Sequence, residues 1–275
     1  MVLDASFLKE KASEIRRDVV RMIGLARSGH LLLSLAIVDI LAWLYWEVLS
    51  IDPEDPWRES RDRFILGKGH GCPALYATLA NRKFFERDEL WSYRRLGAML
   101  QGYPQALRTP GVDSPGGSSS MGLGLANGLA LALRHRGIFS RIFCLAGDSE
   151  LQEGVFWESA ISSAHFSLEN VFLLVDRSSF REEETGERPR LEPLREKLLS
   201  FGWAVDECDG HEFDSLRKSL DKLELCASRP KCLLARTRLG KGISFLEDDK
   251  NAGRAVLDRE RMDKALRELE KGSEF

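Results

Sequence analysis

Residues 141–179 read RIFCLAGDSELQEGVFWESAISSAHFSLENVFLLVDRSS. The segment holds two short apolar runs, at 141–146 and 171–175, whose length and composition favour β-strands. A helical pattern at 155–166 lies between the two runs. Strands that alternate with helices are typical of a parallel sheet covered by helices. We therefore predict two neighbouring parallel strands that are joined by a crossover helix.

The same alternation continues on both sides of this segment. Further strand-like runs follow at 203–207 and 231–235. The predicted helices cover residues 6–27, 33–48, 73–96, 121–136, 191–201 and 213–223, and a last helix begins at 258. The predicted fold is α/β, a doubly wound, mostly parallel sheet flanked by helices. We predict one domain over residues 1–271 with a helical N-terminal segment, and we set aside residues 272–275 (GSEF), which resemble a vector-derived tail.

The composition excludes several classes of protein. The chain has 275 residues, of which 43% are hydrophobic and 30% are charged, so an intrinsically disordered protein is excluded. Its 40 basic and 43 acidic residues give a formal net charge of −3, so we expect no nucleic acid as a partner. The five cysteines are widely spaced and form no CxxC pair, as is typical of free thiols in a reducing cytoplasm. We therefore predict a cytoplasmic protein.

One apolar run, residues 31–49, is as long as a membrane span. It carries Asp39 near its middle, and a carboxylate at the centre of a bilayer costs about 2.5–3.5 kcal/mol. We therefore predict a helix that is buried against protein, and no membrane as a partner. Because the helix is apolar on nearly all sides, it also suggests a subunit interface.

Two of the predicted strands end in acidic residues followed by turn-forming residues. The first turn is GDSE at 147–150, and the second is DRSS at 176–179. Ligands of doubly wound sheets bind at the carboxyl ends of the strands, so the two turns predict a site there. Asp148 is a candidate ligand for Mg²⁺, and Ser178 is a candidate hydroxyl ligand beside it. A helix-capping aspartate and a polar turn are the alternative interpretations of these two residues.

A loop rich in Gly and Ser, PGGSSSMGLG at 115–124, leads into a predicted helix. Backbone N–H groups of such a loop can bind a diphosphate, although a flexible linker has the same composition. His30 and His70 each follow a glycine, in SGH at 28–30 and KGHG at 68–71. Isolated histidines are often structural, so their role stays open here. The chain has no HExxH and no GxSxG motif, so zinc-protease and serine-hydrolase functions have no support.

Taken together, the motifs resemble the N-terminal, diphosphate-binding half of transketolase. The resemblance is carried by an ordered set of motifs over about residues 6–270: SGH at 28–30, DRFILGKGHGCPALYATLA at 62–80, TPGV at 109–112, GDSELQEGVFWESAISSAH at 147–165, LENVFLLVDR at 168–177, LEPLREKLLSFGW at 191–203, DGH at 209–211 and GKGISFLE at 240–247. No single motif is specific, but their order and spacing are.

The resemblance implies thiamine diphosphate and Mg²⁺ as cofactors. It places Asp148, Ser178 and the Phe180 carbonyl at the metal. It assigns catalytic roles to His30 and His70, with His30 facing the sugar substrate. The residues that it implies for cofactor binding are His70, Ser119, Ser120, Met121, Ser149, Glu150 and Ser178.

The implied activity is the transfer of a two-carbon ketol unit from a ketose to an aldose, with sugars or sugar phosphates as substrates. The family's pyrimidine-binding half, with the glutamate that activates the cofactor, has no counterpart in these 275 residues. The resemblance therefore implies a split transketolase whose C-terminal subunit is a separate chain. We expect an α2β2 assembly with active sites between chains, and no turnover by this chain alone.

Among the positions that depart from the family pattern, four bear most directly on activity. Ser149 stands in place of the glycine of GDG, and Ser178 in place of a metal-binding asparagine. Tyr103 and Ala252 stand where the family has histidines near the substrate. These changes keep two interpretations open: a transketolase-like enzyme with an altered donor or acceptor, and a degenerate, non-catalytic subunit that serves as a binding partner. Another thiamine diphosphate-dependent enzyme of C–C bond chemistry is a further alternative.

Overall fold

A computed structural model describes residues 2–115, 120–178, 186, 190–247 and 257–271. The contacts between residues divide the chain into two compact units. The helical unit comprises Met1–Pro56, His70–Pro115 and Arg238–Phe275. The sheet unit comprises Trp57–Gly69 and Gly116–Thr237. The prediction of one domain over residues 1–271 stays a prediction.

The sheet unit contains a five-stranded sheet in which every neighbouring pair of strands is parallel. The order across the sheet is β1-β2-β3-β5-β4. The strands are β1 (Arg63–Leu66), β2 (Ile142–Gly147), β3 (Val171–Arg177), β4 (Ala204–Asp209) and β5 (Lys231–Arg236). The predicted α/β fold with a parallel sheet flanked by helices is therefore confirmed.

The helices follow the predicted pattern closely in the second half of the chain. In chain order they are α1 (Ala5–Ala26), α2 (Leu31–Ala36), α3 (Val38–Trp43), α4 (Cys72–Asn81), α5 (Met121–His135), α6 (Gly154–His165), α7 (Leu194–Ser200), α8 (Phe213–Glu224) and α9 (Arg259–Lys271). Helices α5 to α8 belong to the sheet unit, and the other five belong to the helical unit.

Three details differ from the sequence-based expectation. Strand β1 was not predicted, because four residues are too few for a reliable apolar pattern. The predicted helix over 73–96 ends at Asn81, where Lys83 adopts a left-handed conformation with φ 64°. A short 3₁₀ turn, Arg87–Ser92, occupies part of the remaining range.

The apolar run at 31–49 forms α2, α3 and one π-helical turn, Leu44–Val48, rather than one continuous helix. Most of its side chains are buried, and α2 and α3 pack against α1 and α4 of the same unit. The expected subunit interface stays a prediction. Asp39 is buried within this segment and accepts a hydrogen bond of 2.6 Å from Arg16 of α1. In the described part of the chain, no helix is long and apolar enough to span a membrane.

The core of the sheet unit forms around β2 and β3, whose residues are all buried. Such continuous apolar strands are expected where a parallel sheet is covered on both faces. Phe143 and Phe172 stack between neighbouring strands with ring centroids 4.8 Å apart. Trp203 is fully buried and donates a hydrogen bond of 2.9 Å to the Ala160 carbonyl of α6.

None of the five cysteines, all of which lie in the described part of the chain, forms a disulfide in the structure. Burial raises the pKa of Cys72 and Cys208 to about 12. It also raises the pKa of Cys144 and Cys232 well above the ordinary value. Cys226 is half-buried and follows α8.

Helix α5 begins where it passes very close to the end of β1. A Cβ atom on Gly122 would lie 2.6 Å from the Cα atom of Gly67, which immediately follows β1. A real Cβ atom does not approach backbone this closely, so the contact requires glycine. Gly122 thus sets the distance between the first turn of α5 and the residues that follow β1.

We expect Gly122→Ala to lower the free energy of unfolding by about 1–3 kcal/mol, because the new methyl group must displace backbone. The matched control is Gly128→Ala in the same helix, where nothing lies within 4 Å of the new Cβ. That variant should gain up to ~1 kcal/mol from helix propensity. Urea unfolding of the three proteins gives both values, and equal effects of the two substitutions would contradict the proposed contact.

Candidate active site

The register of β2 and β3 brings the two predicted turns side by side. Gly147, the last residue of β2, pairs with Asp176 of β3. Asp148 therefore begins its turn directly beside Arg177, at the carboxyl edge of the sheet. The prediction that these two turns are neighbours is confirmed.

Asp148 and Arg177 form a buried ion pair. The Nη1 atom of Arg177 lies 2.6 Å from Oδ1 of Asp148, and the two residues are 3% (Arg177) and 5% (Asp148) exposed. The Nη2 atom of the same guanidinium donates to Oε1 of Glu192 at 2.9 Å. A buried guanidinium is tolerated only when carboxylates compensate its charge, and this one contacts two.

The second acid of this edge, Asp176, is fully buried and contacts three groups. Lys68, which follows β1, forms a salt bridge with Oδ2 of Asp176. Thr237, which follows β5, donates its hydroxyl hydrogen to Oδ1. Ser178 donates its hydroxyl hydrogen to Oδ2 at 3.1 Å. We call Lys68, Asp148, Asp176 and Arg177 the strand-edge cluster.

The donors predicted for Mg²⁺ are engaged within the protein. Asp148 contacts a guanidinium, and the Ser178 hydroxyl points to Asp176. Phe180, the third predicted ligand, lies outside the described residues. The residues that the structure describes contain no group of three or more His, Cys, Asp or Glu side chains that could hold a metal ion. Asp148 and Ser178 direct their oxygens to Arg177 and Asp176 rather than to a shared position, so in this arrangement these two side chains do not fit Mg²⁺.

Glu150 holds the turn after β2 in shape. Its Oε2 accepts a hydrogen bond of 2.7 Å from the backbone N–H of Gly147. Its backbone carbonyl accepts a hydrogen bond of 2.8 Å from the Ser120 hydroxyl. A Cβ atom on Gly67 would lie 2.7 Å from Oε1 of Glu150, so this carboxyl group also packs against the end of β1. The side chain predicted to bind cofactor is thus bound to its own loop.

The environment of Glu150 changes its acidity. Burial raises the pKa of Glu150 to about 7, although the Gly147 N–H and the nearby Lys68 both favour the charged form. Desolvation therefore exceeds the interactions with Gly147, Lys68 and Ser120 that favour the charged form. Near neutral pH this carboxyl group exchanges between its protonated and charged forms.

The other predicted cofactor residues of the sheet unit differ in exposure. Ser120 is buried and precedes α5 in a left-handed conformation, with φ 64°. Met121, the first residue of α5, is 41% exposed, and Ser149 is exposed at the tip of its turn. Ser119 lies outside the described residues.

Both predicted catalytic histidines lie in the helical unit, and their rings are in contact. The ring centroids of His30 and His70 are 4.1 Å apart. His30 precedes α2, and His70 lies in the 3₁₀ turn Gly69–Gly71 that leads into α4. Both side chains are exposed. The structure therefore brings together two residues that are 40 positions apart in the sequence.

Tyr103 contacts His70. Its hydroxyl oxygen lies 3.2 Å from Nε2 of His70, and the side chain is 39% exposed. Arg94 is close enough to affect His30: burial lowers the pKa of His30, and His70 and Arg94 lower it further. A neutral imidazole at neutral pH can accept a proton. We call His30, His70, Arg94 and Tyr103 the histidine cluster.

Several charged residues of the site were not assigned a role from the sequence. Lys68 lies in the KGH motif and Arg177 lies in the DRSS turn, so both belong to motifs that the sequence analysis had identified. Their ion pairs depend on the strand register, which no sequence pattern gives. Thr237 carries no signal in the sequence beyond its position after β5.

The raised pKa of Glu150 predicts a pH effect on stability. A carboxyl group whose folded-state pKa is raised from 4.5 to about 7 stabilises the fold below pH 4.5, and this contribution is lost as pH rises through 7. We expect Glu150→Gln, which keeps an oxygen acceptor for Gly147, to become more stable than wild type by up to about 3 kcal/mol between pH 5 and pH 8. Urea unfolding at several pH values measures this difference, and a constant difference would contradict it.

Residues 8–271 match the family model of the transketolase thiamine diphosphate binding domain. The chain is 36% identical over 265 residues to the 6-deoxy-6-sulfo-D-fructose transketolase subunit of a Clostridium species, covering 96% of both chains. It is 34% identical to an apulose-4-phosphate transketolase subunit of Actinobacillus succinogenes, covering 95% of both chains.

Solved transketolase structures have the same fold. The structure from Campylobacter jejuni superposes with a TM-score of 0.88 at 27% identity, covering 98% of this chain and 43% of that one. The structure from Leishmania mexicana gives a TM-score of 0.79 at 25% identity, covering 96% of this chain and 46% of that one. The chain thus spans less than half of these solved structures. It belongs to the transketolase family, and residues 8–271 correspond to the family's thiamine diphosphate binding domain.

Proposed function

We propose that this chain is the N-terminal subunit of a two-chain transketolase. It binds thiamine diphosphate and, with a separate C-terminal subunit, transfers a two-carbon ketol unit from a ketose to an aldose. One observation carries the proposal. The chain matches two proteins named as transketolase subunits over about 95% of their length, but covers only 43% of a solved transketolase.

The strand-edge cluster supports a role in binding the diphosphate end of the cofactor. Backbone N–H groups in a turn at the carboxyl edge of a parallel sheet favour an anionic group. Lys68 and Arg177 add two cations at the same edge. Ser149 is exposed at the tip of the turn, where its hydroxyl group can donate a hydrogen bond to a phosphate oxygen.

The histidine cluster supports a role in proton transfer. Thiamine diphosphate, if bound, would supply a carbanion as the nucleophile and an electron sink for cleavage of the C2–C3 bond of the ketose. His30 and His70 can then orient the sugar oxygens and exchange protons with them. A hydrogen bond between the Tyr103 hydroxyl and Nε2 of His70 can orient that ring.

The predicted assignment of Mg²⁺ to Asp148, Ser178 and Phe180 is no part of the proposed function. Because the described donors do not fit the metal as placed, no step of the mechanism depends on it. We also assign Ser119 and Ser120 to the cofactor site.

The substrate class follows from the named relatives. One is named for a ketose that carries a sulfonate and the other for a ketose that carries a phosphate. We therefore assign to the two-chain enzyme a ketose with an anionic substituent. The proposed compartment is the cytoplasm, and the five widely spaced cysteines of the sequence support it.

A non-catalytic subunit is the second candidate function. It is favoured by the ion pair of Asp148 with Arg177 and by the loss of the histidine at Tyr103. A different thiamine diphosphate enzyme of C–C bond chemistry is a weaker candidate, because the named relatives are transketolase subunits.

We expect the reading frame beside this gene to encode a transketolase C-terminal half, and the two chains to co-purify as an α2β2 complex. The complex should convert ketose and aldose phosphates, whereas either chain alone should give no product, because each lacks half of the site. Native mass spectrometry gives the stoichiometry, and chromatography with mass detection gives the products. A complex that binds thiamine diphosphate but transfers no ketol unit would favour the non-catalytic subunit.

In the active complex, His70→Ala should lower kcat/KM by about 10²-fold, because a positioned acid–base group is lost. Tyr103→Phe should cause a smaller loss, since the imidazole remains. The matched control is His135→Ala at the exposed end of α5, which should leave kcat/KM unchanged. If His70→Ala kept the wild-type rate, the histidine cluster would have no part in proton transfer.

A further inference from the structure

The ion pair at position 177 places a cation where the family pattern leads one to expect a metal. The DRS turn at 176–178 has Arg177 in its middle position, and β3 directs this side chain toward Asp148. The guanidinium is 3% exposed, so it belongs to the interior of the sheet unit rather than to the surface. Its short contact with Asp148 supplies the positive charge that a buried carboxylate requires.

A divalent cation at Asp148 would meet this guanidinium. Mg²⁺ binds carboxylate oxygens directly, so it would lie within a few ångströms of a second positive charge. The neighbouring Asp176 cannot relieve the repulsion, because it is already compensated by Lys68. The strand-edge cluster thus contains two carboxylates and two cations that neutralise one another.

We propose that Arg177 takes the place of the divalent cation, and that the chain binds the diphosphate of thiamine diphosphate without Mg²⁺ at Asp148. The proposal rests on the proposed function for the identity of the cofactor only. Arginine suits this role, because its planar fork donates two parallel hydrogen bonds to phosphate oxygens and is always charged.

Glu192 gives the guanidinium an exchangeable contact. The Nη2 atom of Arg177 donates to Glu192 at 2.9 Å, and the Glu192 side chain is 47% exposed. A diphosphate oxygen can therefore replace this carboxylate at low desolvation cost. Asp148 is 5% exposed and keeps Nη1 in place meanwhile. The exposed carboxylate of Glu192 thus competes with the diphosphate for Arg177, whereas the buried carboxylate of Asp148 positions the guanidinium.

The first test is thiamine diphosphate binding by calorimetry, with EDTA or with excess Mg²⁺, to the chain alone and to its complex with the C-terminal subunit. We expect dissociation constants that agree within threefold in the two conditions. Binding at least 30-fold tighter with Mg²⁺ would overturn the proposal. No binding in any condition would instead contradict the proposed function, and the unfolding measurement below would then decide the role of Arg177.

Two variants test whether Arg177 supplies the positive charge that binds the diphosphate. Arg177→Met should weaken metal-free binding by about 100-fold, since a charge-assisted contact is lost. The matched control is Arg236→Met: Arg236 pairs with Arg177 in the register of β3 and β5 but is exposed and bound to Glu207. This control should keep wild-type affinity. Equal affinities of wild type and Arg177→Met would overturn the proposal.

Thermal unfolding without cofactor distinguishes two roles of Asp148: ion-pair partner of Arg177 or metal ligand. Asp148→Asn should lower the midpoint of thermal unfolding by roughly 5 °C or more, because it leaves a buried guanidinium without its carboxylate. Adding Arg177→Met to Asp148→Asn should restore part of this loss. A midpoint unchanged by Asp148→Asn, together with a Mg²⁺-dependent rise in wild type only, would overturn the proposal.

Discussion

Buried charges at the carboxyl edge of a parallel sheet must compensate one another, and this constraint shapes the sheet unit. The register of β2 and β3 places Asp148 beside Arg177, and the residues that follow β1 and β5 complete the contacts of Asp176. A one-residue slip in the register would separate these charges and leave them unpaired in the interior. The same pairing that completes the sheet therefore also builds the site.

Much of the fold was predictable, because it depends on local patterns. The apolar runs that became β2 and β3 are bounded by turn residues and are buried along their whole length. Strand β1 was not predicted from the sequence, because RFIL has only four residues and begins with arginine. The helix expected over 73–96 was too long, because nothing in its composition marks the left-handed turn at Lys83.

The site was predictable only in part, because its contacts depend on packing between elements rather than on local patterns. The rule that ligands bind at strand ends located the turns at Asp148 and Ser178, because it depends on topology alone. It did not show that Arg177 would point inward, since an arginine in a turn is usually solvated. Nor did it show that His30 and His70 would be in contact, because their distance depends on how α2 and α4 pack.

The state of the thiols has a practical consequence. A thiol reacts with alkylating reagents and oxidants as the thiolate, and the four buried cysteines, with their raised pKa values, contain almost none of it at neutral pH. Because Cys226, after α8, is half-buried and the other four cysteines are buried, we expect a maleimide dye or spin label to attach there first. A probe can therefore be placed on the native chain without removing any cysteine, on the β4–β5 connection and away from the carboxyl edge of the sheet.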